Sequence, residues 1–174
     1  MKKQIDFYFD VVSPYSYVAS TLIEDVAQRC NADLLWNPIL LGGIFKAVGT
    51  SNTPGLTPEK KPYMLKDLQR LSRHYGIPLQ MPPDFPVRTV LVMRVLSGLP
   101  PEQIPQAAHT LFNAYWADNL DIADREVVAS LIGQEAVERA GMHKVKDALF
   151  KNTEEAVKRG AFGAPTFFVE DEMF

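Results

Sequence analysis

The alternation of apolar and polar positions along the chain predicts a strand that runs directly into a helix. Ile5-Asp6-Phe7-Tyr8-Phe9 is rich in aromatic and β-branched residues, as a short buried strand requires. Ser13-Pro14 then signals a helix start, with apolar Tyr17, Val18, Leu22, Ile23 and Val26 recurring at helical spacing behind it. Asp33 to Leu40 reads as a second strand ending near Pro38. The succession is a βαβ unit, whose strands lie parallel with a right-handed crossover. Leu41 to Gly49 has room for a short helical turn, and residues 50–58 have a loop composition.

From there the helical period dominates. Tyr63, Met64, Leu68, Leu71 and Tyr75 mark one apolar face, closed by Gly76 as a C-cap. Pro78, Pro82, Pro83 and Pro86 forbid regular structure until Arg88 to Ser97. Ile104, Ala108, Leu111, Phe112, Tyr115 and Trp116 form another face, Asp121 or Asp124 caps the next helix, and a last helix covers about Lys144 to Arg159. Gly160 to Pro165 leads into a strand at Thr166 to Glu170. The expected organisation is α/β: a βαβ core at 1–58, an all-helical insertion at 59–150, and a return to the core at 151–174.

The 174 residues are 47% hydrophobic, enough for one good core. A net charge of −3 without a Lys/Arg block argues against nucleic-acid binding. Apolar runs such as Thr89 to Met93 are too short to span a bilayer, and the N-terminus enters the first strand without an apolar leader. Cys30, the only cysteine, has no partner for an internal disulfide, which fits a reducing, cytoplasmic setting. It reads as a partly buried structural thiol at the end of the first helix. His74, His109 and His143 lack close metal-ligand spacing.

The candidate chemistry lies at the first turn. Ser13 is a good N-cap and Pro14 suits the first helical position. The helix dipole and free N–H groups beside a serine hydroxyl favour an anionic sulfur, oxygen or phosphate. Alone, this is also an ordinary cap. The second feature is Phe162-Gly163-Ala164-Pro165-Thr166-Phe167, a proline at the entrance of a strand. X-Pro bonds are mostly trans, and the isomer here is open from these residues alone.

Together, Phe9-Asp10-Val11-Val12-Ser13-Pro14-Tyr15-Ser16-Tyr17, Gly43 to Lys46 with Asn52 to Gly55, Asp84-Phe85-Pro86, and Gly160 to Phe167 resemble the thioredoxin-like DsbA superfamily. More narrowly, the chain is similar to the 2-hydroxychromene-2-carboxylate isomerases and kappa-class glutathione transferases. The resemblance implies a thioredoxin-like fold, glutathione as cofactor, a small aromatic-pathway substrate and a homodimer. Ser13 to Ser16 stand where the wider superfamily carries Cys-X-X-Cys, so the missing sulfur must come from the ligand. The resemblance makes Ser13 the catalytic residue facing the glutathione sulfur, with Tyr15 nearby. Ala164 would present its backbone to the cysteinyl part beside a cis Pro165. Asn52 would contact glutathione, with Ser51 the alternative if the loop is one residue longer. Lys46 and Arg88 are candidates for attracting glutathione or substrate carboxylates. The resemblance also implies a further strand and a closing helix after Phe174, with a segment that grips the γ-glutamyl end.

Overall fold

The computed structural model describes residues 2–50 and 60–174. In chain order these form β1 (Gln4–Phe9), α1 (Pro14–Arg29), β2 (Asp33–Pro38), α2 (Leu41–Ala47), α3 (Lys60–Tyr75) and α4 (Val90–Ser97). A short 3₁₀ turn (Pro101–Gln103) enters α5 (Ile104–Trp116), followed by α6 (Arg125–Ile132), α7 (Gln134–Arg139), α8 (His143–Lys158), β3 (Thr166–Val169) and β4 (Glu172–Met173).

β1 is central in a sheet of order β2-β1-β3-β4. It pairs in parallel with β2, from Gln4 opposite Asp33 to Phe9 opposite Pro38, as the βαβ reading requires. On its other side it pairs antiparallel with β3, from Ile5 opposite Val169 to Tyr8 opposite Thr166. Because side chains alternate across a strand, Ile5, Phe7 and Phe9 enter one core while Tyr8 enters another. The first core includes Tyr17 of α1 with Phe112 and Trp116 of α5. The second includes Ile44 of α2, Ala156 of α8 and Phe168 of β3. β1 is therefore covered on both faces at its apolar end, Phe7 to Phe9, while Gln4 and Asp6 keep its first half alternating.

The α5 face is buried at all six expected positions. The α3 face is not: Leu68 is buried, but Tyr63 is 61% and Tyr75 47% exposed. This helix packs on α1, with Tyr15 bonded to Asp67 near its middle. Its stop is as expected, with Gly76 at φ +66° and the Ile77 N–H donating to Ser72 O at 2.9 Å. Of the two aspartates considered, Asp124 caps α6 by accepting from Glu126 N at 2.7 Å. Cys30 corrects its expectation, since it is an exposed C-cap of α1.

The end of the chain also differs from its reading. β3 stops at Val169, Glu170 turns with φ 57°, and β4 pairs back on β3. Phe167 and Phe174 exchange two backbone hydrogen bonds of 2.9 Å. β4 thus adds an edge to the sheet where the sequence reads as a polar run, and the strand and helix expected after Phe174 lie beyond the described residues. The Glu170-Asp171-Glu172 run is polar enough to read as loop, but a two-residue turn needs only a left-handed residue to reverse the strand. Among the described residues, no helix is long and apolar enough to cross a membrane.

Candidate active site

The site is built on the turn from β1 to α1. Within it the Ser13 N–H donates to Asp10 O at 3.0 Å. The Asp10 carboxylate is buried and accepts from Val12 N (3.1 Å) and from Leu41 N at the start of α2 (2.9 Å). It also bonds the side chain of Thr89, the residue before α4. Trp116, at the end of α5, donates its indole N–H to Val11 O at 2.8 Å. Three elements distant in sequence therefore fix one turn. Burial pushes the Asp10 pKa up, and the bonds from Leu41, Thr89 and Val12 oppose that rise.

Ser13 caps α1, its Oγ accepting from Ser16 N at 3.1 Å. The same hydroxyl donates to Ala164 O at 2.8 Å. Ala164 precedes Pro165, and the bond between them is cis. The two motifs singled out in the sequence therefore meet through a hydrogen bond between residues 151 positions apart. Ser13 is 3% exposed, whereas Ala164 and Pro165 are half-buried. Ser16 Oγ is buried without a hydrogen-bond partner among the described residues.

Tyr15 is half-buried and donates to Asp67 Oδ2 on α3 at 3.0 Å. Burial first, and the Asp67 carboxylate second, push its phenol up to about 12. Its proton is committed to α3. Lys46 lies on α2 and lines a cleft of about 520 Å³ against Phe150, Thr153 and Val157 of α8. Arg88 lines a different pocket of about 420 Å³ among the helices. Neither lining includes Ser13, and the two cations line different spaces. Asn52, and Ser51 as its alternative, lie outside the described residues. Asp10, Thr89 and Asp67 were not anticipated. Asp10 carried a signal, a charge closing an apolar strand, because a buried charge demands partners.

Glutathione fits the donor set. A helix N-terminus with a serine hydroxyl suits a thiolate, and the Ala164 carbonyl suits a peptide N–H. Neither Ser13 nor Ser16 supplies a competing thiol, and Cys30 lies at the far end of α1. Among the described residues, no group of three His, Cys, Asp or Glu could hold a metal.

A family model described as a DSBA-like thioredoxin domain matches residues 4–174. Human glutathione S-transferase kappa 1 is 31% identical over 187 residues, covering 95% of this chain and 80% of its own. The 2-hydroxychromene-2-carboxylate isomerase of Pseudomonas putida is 30% identical over 178 residues, covering 98% of this chain and 87% of its own. A solved 2-hydroxychromene-2-carboxylate isomerase superposes with a TM-score of 0.83 at 28% identity, covering 98% of this chain and 87% of that one.

Proposed function

The chain belongs to the DsbA-like thioredoxin family, and from that premise we propose that it is a glutathione-dependent isomerase acting on a small unsaturated aromatic-pathway acid. The observation that carries this reading is the hydrogen bond from Ser13 Oγ to Ala164 O, in a site without a protein thiol. The proposed reaction interconverts 2-hydroxychromene-2-carboxylate and trans-o-hydroxybenzylidenepyruvate, as in naphthalene-type degradation. Bound glutathione would supply the thiolate that adds reversibly to the substrate double bond, permits rotation and leaves again.

The residues of the chain then have separable roles. Ser13 Oγ has one proton, now donated to Ala164 O. Ser13 Oγ would hold glutathione's sulfur by turning this proton from Ala164 O toward it, and Ala164 O would then accept a peptide N–H of the ligand. A hydrogen bond to the charged form, together with the α1 dipole, lowers the pKa of the bound thiol. Ala164 and Pro165 hold the peptide part, Tyr15 anchors the first turn to α3 through Asp67, and Asn52 completes the glutathione contacts. Lys46 attracts a carboxylate of the ligand or substrate, and Arg88 attracts one within the pocket it shares with Arg94 and Arg125. The enzyme works as a homodimer, as the family resemblance implies, and in the cytoplasm, a compartment that its single unpaired cysteine supports.

The nearly equal identity to kappa-class relatives supports a second reading, irreversible conjugation of glutathione to electrophiles or reduction of peroxides. Ultraviolet spectra of protein, glutathione and the chromene acid separate the two. Glutathione-dependent conversion of the acid, with glutathione recovered, supports isomerisation. An inert acid alongside conjugation of a generic electrophile selects the transferase. A third reading, a noncatalytic thioredoxin-like module, requires that neither reaction occurs and that Ser13→Ala changes no glutathione binding.

A further inference from the structure

We propose that the pocket lined by Arg88, Arg94 and Arg125 is a binding site for a small organic carboxylate, separate from the glutathione site. Three guanidinium groups from different parts of the helical block line this space of about 420 Å³: Arg88 ahead of α4, Arg94 in the last turn of α4, and Arg125 at the start of α6. Val90, Leu91 and Ala140 provide apolar wall beside them, and among the described residues no carboxylate lines the pocket.

The chain carries 21 Asp and Glu against 18 Lys and Arg, so acidic partners are in excess overall. Arg29, Arg139 and Arg159 each have one. Arg88 and Arg94 have no ion pair or side-chain hydrogen bond among the described residues, and Arg125 reaches only Val137 O at 3.4 Å. Asp124, next to Arg125, is turned to the α6 backbone. Solvation accounts for a lone surface arginine, and the α4 dipole favours one positive charge at Arg94. Neither explains why three like charges, Arg88 and Arg125 exposed and Arg94 half-buried, border one concave space whose described lining holds no acidic side chain. Guanidinium forks match a carboxylate in a bidentate manner, and the apolar wall selects an organic acid over a bare anion.

The inference stands without the glutathione reading, since Ser13, Tyr15, Ala164 and Pro165 are not among the lining residues. It is tested by NMR titration of the intact chain with benzoate, its neutral isostere benzamide, and inorganic phosphate, without glutathione. Benzoate should bind several-fold more tightly than phosphate and at least tenfold more tightly than benzamide. Arg94→Gln and Arg125→Gln should each weaken benzoate about tenfold, whereas Ser13→Ala should leave it unchanged. Arg125 is exposed, so its variant keeps the test decisive if Arg94→Gln disturbs folding. Equal affinity of benzamide or phosphate, unchanged binding in Arg125→Gln, loss of binding in Ser13→Ala, or no benzoate binding would each overturn the proposal.

Discussion

At the scale of single residues, the turn holding Ser13 depends on a carboxylate that burial disfavours as an anion. A raised acid binds its proton more tightly in the folded state than in the unfolded chain. Its contribution is therefore full below the ordinary carboxyl value of about 3.9 and is lost as pH climbs through the raised Asp10 pKa. Asp10→Asn removes that titration. In urea unfolding between pH 4 and 7, the variant should gain stability relative to the parent as pH rises; a pH-independent difference would contradict the raised pKa. Ser13→Ala should cost about 1 kcal/mol through the lost cap alone, measured in the same way. The cap at Ser13 and the proline at a strand entrance were legible from local signals, whereas their pairing and the place of Ala164 came only from the family resemblance. The Asp10 network was not, since its partners at Leu41 and Thr89 are backbone and hydroxyl groups that any sequence supplies.

At the scale of elements, α2 is fitted against α8 at one glycine. A Cβ on Gly43 would lie 3.0 Å from Thr153 Cγ2. Thr153 has little freedom to yield, because its hydroxyl accepts from Leu40 N at 3.1 Å and donates to Leu149 O at 2.8 Å. Gly43→Ala should therefore destabilise by about 1–3 kcal/mol despite the better helix propensity of alanine. Thr153→Ser removes the obstructing methyl and keeps the hydroxyl, so in the Gly43→Ala background it should recover most of the loss in urea melts. No recovery would place the crowding elsewhere. The α5 pattern was readable because every apolar position faces the core. The α3 pattern misled at Tyr63 and Tyr75 because periodicity reveals an apolar face, but not how far the neighbouring surface extends beneath it.

At the scale of the whole molecule, sheet and helical block share one apolar core. Phe9 packs on both Trp36 of β2 and Phe112 of α5, with ring centroids 5.3 and 5.7 Å apart. The two tryptophans, Trp36 in the sheet and Trp116 in the helical block, are both buried in it. We expect single-tryptophan variants Trp36→Phe and Trp116→Phe to report coincident urea transitions, matching far-ultraviolet circular dichroism; separate midpoints would show independent folding. The parallel β1-α1-β2 order was legible from the spacing of strand and helix patterns, whereas the β3-β4 reversal hid in a short polar run. The core serves the chemistry by holding the start of α1 against the Ala164-Pro165 turn.

The central claim is that Ser13 stabilises a thiolate brought by the ligand. The direct measurement is the pH titration of thiolate absorbance for glutathione bound to the parent and to Ser13→Ala. A hydrogen bond to a charged group is worth about 1.5–3 kcal/mol, so the account predicts a bound thiol below its usual range of about 8.5 in the parent and about 1–2 units higher in the variant. The same pKa in both proteins, with glutathione bound to each, would contradict it.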